Sequence, residues 1–197
     1  MNAELPNRYA EQAAVAVSWL ASLRPREVGG RLIAGDRAAL ARLRRASSVM
    51  EAAAEPATAD LYKKLGLQYP ARDLARAAVV AAVLAHVREA SSEKIARAIG
   101  TPRAGDGSTA ILTPLRLKRL LAAREPDDIL IAFRRVVAIL GHTANIRDLA
   151  LQVLAWTDAE RGDITRTRFA FDYHGAGPFA PGAEAATAII SQTPAQD

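Results

Sequence analysis

The chain contains no cysteine. Disulfides and thiolate metal sites are thereby excluded, and a reducing cytoplasm is the expected compartment. Aromatic residues make up only 5% of its 197 positions. The three histidines, His86, His142 and His174, are scattered. None sits at i, i+4 from another or in an H-E-x-x-H frame, so no metal and no other cofactor is expected. Long hydrophobic runs are missing too. The most apolar stretch, 74–87, carries Arg76 and His86 and falls short of the about 20 apolar residues that a membrane span needs. It reads as a buried core helix, with His86 as a satisfied core histidine. The N-terminal MNAELPNRYAEQ lacks the basic-then-apolar layout of a signal peptide. A soluble protein with no membrane contact is expected.

Catalytic signatures are equally thin. There is no G-x-S-x-G elbow and no cysteine nucleophile. Gly105-Asp106-Gly107-Ser108 lacks the spacing and the lysine of a phosphate-binding loop. Asp127-Asp128 is explained by the N-terminus of a helix, where acids are favoured. An enzyme is the weakest of the functional readings.

What the chain has is aliphatic residues and arginine. Half of it is hydrophobic, enough to bury one substantial core or two small helical ones. The net charge is +5, and 22 of the 26 basic residues are arginine. Such a surface attracts polyanions, nucleic acid first. An arginine bias also follows from a GC-rich genome, so the placement of the charge carries more weight than its sum.

The pattern is helical nearly throughout. Helices are predicted over 8–23, from Asp36 as N-cap through Ala46, over 58–65 closed near Gly66, and over 72–89 at the centre of the core. A short helix capped by Ser91 or Ser92 ends at Gly100. Thr113-Pro114 and Pro126 each open a further helix. Gly141 ends the second of these, Asn145 caps 146–157, and Asp163 caps 164–174. No alternating strand pattern persists. The expected fold is all-α: a bundle with an N-terminal helical half over 1–100, a linker at 101–113, a C-terminal half over 114–175 packed against the first, and a flexible tail over 176–197.

The arginines fall into three clusters. Seven lie between Arg24 and Arg45 against two acids. At about 100° per residue, Leu40 and Leu43 face inwards while Arg37, Arg44 and Arg45 share another sector. The second cluster has Arg116, Lys118 and Arg119, followed on the next helix by Arg134 and Arg135, with Ile131 and Ile139 flanking Arg135 on the outer side. The third interleaves Arg166 and Arg168 with Phe169, Phe171 and Tyr173. Aromatics in that company can stack on unpaired bases, but the i, i+4 spacing of Phe169 and Tyr173 favours packing against the core.

The order of motifs is V-A-V-S-W-L-A-S-L, G-D-R-A-A-L-A-R-L-R-R-A, R-L-K-R-L-L-A-A, F-R-R-V-V-A-I-L-G, I-R-D-L-A-L-Q-V-L-A-W and R-T-R-F-A-F-D-Y. It resembles the CasB family, the small subunit of the type I-E CRISPR Cascade complex, over roughly residues 12–174. The resemblance implies an all-helical, non-catalytic subunit, two copies of which touch the backbone subunits and the large subunit. It implies that basic surfaces help hold the crRNA–DNA R-loop, mainly its displaced single strand. Matched by position, the basic residues are Arg37, Arg44, Arg45, Arg116, Arg119, Arg134, Arg135, Arg166 and Arg168. Trp19 and Trp156 match apolar positions. The tail after Gly175 extends past the family's usual end. Two other readings stay open: a stand-alone helical DNA-binding regulator, and a scaffold that binds only protein.

Overall fold

The computed structural model describes residues 7–67, 70–102 and 110–176. Among them the architecture is all-helical with two very small sheets. The central element is α5 (Pro70–Ala85). Residues 77–85 are completely buried, Val79, Val80, Val83 and Leu84 among them. A helix apolar on all sides must be enclosed on all sides. Around it lie α1 (Asn7–Leu23), α2 (Arg37–Arg45), α3 (Val49–Ala53), α4 (Pro56–Leu65), α8 (Pro126–Ile139) and α9 (Ile146–Trp156). The remaining helices, α6 (Ile95–Gly100), α7 (Pro114–Ala122) and α10 (Gly162–Tyr173), close one side. Buried residues from Tyr9 to Tyr173 form one continuous hydrophobic cluster, drawn from both sides of residues 101–113.

Local chemistry sets many of the boundaries. The Asp36 side chain accepts from the Ala39 N–H at 2.8 Å, and the Asn145 side chain accepts from the Asp148 N–H at 3.0 Å. Each satisfies a backbone donor that the helix start leaves unpaired. Pro114 and Pro126 stand in the first turns of α7 and α8. Gly66 ends α4 in the left-handed conformation at φ 60°, which glycine adopts without a steric penalty.

Several predicted helix ends are corrected, and one further helix is found. The helix of 72–89 begins at Pro70 and stops at Ala85, because the backbone turns so that Glu89–Ala90 (β3) pairs in parallel with Thr143–Ala144 (β4). Lys94, not a serine, is the N-cap of α6; the Ser91 hydroxyl instead accepts from the Glu93 N–H. Arg161 precedes α10, so Asp163 lies inside its first turn. The unpredicted helix α3 has Ser48 as its cap, and Glu51 reaches back to the Ser47 N–H at 2.7 Å, a variant of the S-x-x-E capping box.

The break at Gly29-Gly30 is a β-hairpin. Strands β1 (Arg26–Val28) and β2 (Arg31–Ile33) pair antiparallel with Val28 opposite Arg31. Both glycines have positive φ, 57° and 78°, as a two-residue type I′ turn requires. Gly35 holds the hairpin's base. Its φ is +68°, and a Cβ there would lie 2.6 Å from the Leu23 carbonyl oxygen.

Both tryptophans are structural. Trp19 Nε1 donates to the Ala57 carbonyl at 3.1 Å, and Trp156 Nε1 donates to the Ala123 carbonyl at 3.2 Å. Phe133 and Phe169 meet the Trp156 ring edge-on at 5.1 and 5.3 Å, a favoured aromatic geometry. Residues 103–109, with the Gly105–Ser108 segment, and the tail from 177 onwards lie outside the described residues.

Candidate nucleic-acid interface

Six of the nine arginines singled out by sequence occupy three physical settings. In the first, guanidinium groups are anchored on backbone carbonyls around the end of α5. Arg44 Nε donates to the Ala85 carbonyl at 2.6 Å, and Arg134 Nη2 donates to the Leu43 carbonyl at 2.9 Å. Arg24 joins them, donating from Nη2 to the Val87 carbonyl at 2.6 Å. The last carbonyls of a helix lack intrahelical donors and carry the negative end of its dipole. Arginines there satisfy the acceptors and complement the field. Arg24 belongs to the first arginine cluster of the sequence, but its partner carbonyl lies 63 positions away, beyond the reach of any local pattern.

This cluster is electropositive. None of Arg24, Arg44 and Arg134 forms an ion pair with a carboxylate among the described residues. Burial, then repulsion from Arg44, holds the Arg24 pKa below its ordinary value. Burial also lowers that of Arg134, with Glu51 opposing the shift. His86 is pushed down to about 4 by burial first, then by Arg134, His142 and Arg44. It is therefore neutral at pH 7. The expectation of a satisfied core histidine holds only in part: His86 is half-buried and hydrogen-bonds to the Arg44 backbone, but its Nε2 has no hydrogen-bond partner among the described residues. Its carbonyl lies 3.0 Å from His142 Nδ1.

On α2 the other arginines divide. Arg42 pairs with Glu55 at 2.7 Å. Arg37 and Arg45 are exposed and make no ion pair among the described residues.

The second setting is an open groove of about 680 Å³ between α7 and α8. Leu112, Leu120, Ala123 and Val136 contribute its apolar side. Arg116 and Arg119 of α7 and Arg135 of α8 line it, all three exposed, with Asp128 as its one acid. Ile131 and Ile139 line the same groove, so the two isoleucines expected beside Arg135 do accompany it there. Adjacent residues on a helix diverge by about 100°. Arg134 thus reaches α2 while Arg135 faces the groove, and α8 supplies one arginine to each basic region.

The third setting is the interior. Arg166 is 7% exposed. Its Nη2 donates to the Ala123 carbonyl at 3.1 Å and the Trp156 carbonyl at 3.2 Å, and Nη1 pairs with Asp163 at 3.3 Å. Its guanidinium also lies 5.3 Å from the Trp156 ring centre. The expectation that Arg166 contacts a phosphate is corrected, because its donors face the ends of α7 and α9. Arg168 is half-buried. Phe169 and Tyr173 are buried, as their spacing favoured, while Phe171 is 55% exposed.

Among the described residues no group of three or more His, Asp or Glu side chains is placed to hold a metal ion. None of the described helices is long and apolar enough to cross a membrane.

No curated protein matches the chain, and no solved structure matches it. The family model for CRISPR-associated protein Cse2 matches residues 39–174. That span holds the basic end of α2, both helices of the groove and the Trp156 core. With more than half of its length inside that match, the chain belongs to the Cse2 family, the small subunits of the CRISPR Cascade complex.

Proposed function

We propose that this chain is a non-catalytic subunit that steadies the R-loop of its complex through sequence-independent contacts to the displaced DNA strand. The observation that carries the reading is the convergence of Arg116, Arg119 and Arg135 on one groove with an apolar side. Phosphates of a single strand suit the guanidinium groups, and base faces suit Ile131 and Ile139. Arg37, Arg44, Arg45 and Arg134 supply a second basic region on and beside α2. Arg168, half-buried on α10, is the remaining candidate. R-loop formation exchanges one duplex for another of similar stability, so modest backbone contacts shift its balance. Such contacts ignore sequence and weaken steeply with salt.

The same reading gives the subunit a bridging role towards the backbone and large subunits and a second copy of itself. The hairpin supports that role: Val28 and Leu32 are 52% and 76% exposed on a short two-stranded ribbon, an apolar surface suited to a protein partner.

Binding of a 20-nucleotide oligothymidylate across a salt series tests the nucleic-acid part. The Arg116→Ala/Arg119→Ala/Arg135→Ala variant should bind more weakly and lose about 2 from the log–log salt slope, at about 0.7 per phosphate contact on a single strand. Wild-type affinity and slope in that variant would remove the groove from the interface.

A further inference from the structure

We infer that Arg24, Arg44 and Arg134 form a discrete site for one phosphate dianion at the C-terminal end of α5. Such a site gives the basic region beside α2 a ligand of its own and does not depend on the groove. The three guanidinium groups are held on the carbonyls of Val87, Ala85 and Leu43. Ala85 and Val87 are two residues apart, and Leu43 directly precedes Arg44. The anchors therefore gather side chains from the end of α1, from α2 and from α8 at one place. Each anchor uses a single nitrogen. Arg24 and Arg134 keep Nη1, and Arg44 keeps both Nη atoms, without a hydrogen bond among the described residues. Arg44 is exposed and the other two are partly so, so a solute reaches these donors. A tetrahedral oxyanion accepts from several of them at once, in charge-assisted bonds of the stronger kind.

Charge points the same way. The end of a helix carries roughly half a negative charge, and three guanidinium groups surround it. No carboxylate meets the excess, since none of the three forms an ion pair among the described residues. Glu51 acts on Arg134, but its oxygens accept from the Ser47 N–H and hydroxyl. Glu89 accepts from the Thr143 hydroxyl. Arg44 repels Arg24, and an anion between them relieves that repulsion.

Two buried atoms of the same cluster, Arg134 Nε and His86 Nε2, have no hydrogen-bond partner among the described residues. Protein groups alone thus leave its hydrogen bonding incomplete. His142 stands in the left-handed region at φ 66°, which is uncommon for a residue with a Cβ. Its ring stacks on that of His86 with centres 6.4 Å apart, bringing a second imidazole and no acid to the cluster. Because carbonyls fix the guanidinium groups before a ligand arrives, little side-chain freedom is lost on binding. Donors fixed at one point suit one compact anion, whereas the exposed arginines of the groove suit a run of diesters. The dianion has two sources: free inorganic phosphate, and the terminal phosphate of a nucleic-acid strand.

Thermal unfolding of the full-length chain in phosphate against chloride, at equal ionic strength, reads the site without nucleic acid. About 10 mM inorganic phosphate should raise Tm by about 3–5 °C, as for a ligand at roughly ten times its Kd. The Arg24→Gln/Arg44→Gln variant should lose that rise, measured from its own chloride baseline. The Arg116→Ala/Arg119→Ala/Arg135→Ala variant should keep it. In the wild-type chain, which needs no variant to fold, phosphate should move the side-chain Nε–Hε resonances of Arg24 and Arg44. A 5′-phosphorylated 20-nucleotide oligothymidylate that binds about tenfold more tightly than its 5′-hydroxyl form identifies the strand end as the source. Equal binding of the two, with the Tm rise intact, identifies free phosphate. No rise beyond chloride, or a rise undiminished in the Arg24→Gln/Arg44→Gln variant, would overturn the site. Wild-type strand affinity in the groove variant, with the phosphate rise intact, would overturn the strand-binding groove and leave this site standing.

Discussion

The basic cluster at the end of α5 and the α7/α8 groove are built from the same residue type and differ in what holds it. Around α5, Arg24, Arg44 and Arg134 are fixed by carbonyls at 2.6–2.9 Å. In the groove, Arg116, Arg119 and Arg135 are exposed and make no ion pair among the described residues. An anchored guanidinium contributes to folding and presents its charge from a set position. A free one contributes little to folding and adapts to whatever strand arrives. Substitutions should therefore move stability in the first region and salt-dependent binding in the second.

The interior arginine is the limiting case of anchoring, and it should give the largest effect. Arg166→Met leaves the Ala123 and Trp156 carbonyls without its donors. Denaturant unfolding should show a loss of about 2–4 kcal/mol, with no change in the oligonucleotide salt slope. A change in slope without a loss of stability would place Arg166 in the other class. Next comes pH. His86 has a folded pKa of about 4, below the ordinary 6.5, so the unfolded chain binds this proton first. Its contribution is complete above about pH 6.5 and declines as pH falls towards 4, by on the order of 1–2 kcal/mol. His86→Leu should flatten that part of the stability profile. An unchanged profile would mean that folding does not depress the His86 pKa.

Anchoring predicts a smaller effect at Arg134. Arg134→Met removes the charged donor of the Leu43 carbonyl and should cost about 1–2 kcal/mol. Its neighbour should behave oppositely. Arg135→Ala should change stability by no more than about 0.5 kcal/mol and reduce the salt slope by about 0.7. Equal stability losses at the two adjacent positions would erase the distinction between the regions.

Much of the fold was legible because its signals are local. Asp36, Asn145, Pro114, Pro126 and Gly66 each act within about one turn of a helix end, so short-range chemistry places them. The apolar run of α5 announced a central helix without tertiary information. The hairpin was not read, because three-residue strands are too short to establish an alternation. The Gly29-Gly30 pair was its only strong mark.

The candidate interface was legible in part. Helical phase placed Arg135 and its two isoleucines together, but it grouped Arg134 with them, and only packing turns Arg134 towards the Leu43 carbonyl. It could not show that Arg24 and Arg44 close on carbonyls 63 and 41 positions away. Nor could it show that the ends of α7 and α9 need the donors of Arg166. Those contacts exist only once the helices have packed.

The most direct measurement is the lifetime of the R-loop in the assembled, guide-RNA-loaded complex. It compares the wild-type chain with the Arg116→Ala/Arg119→Ala/Arg135→Ala variant at one salt concentration. The variant should be incorporated normally and the R-loop should decay faster, by a factor that shrinks as salt rises. An unchanged lifetime with the variant fully incorporated would contradict it.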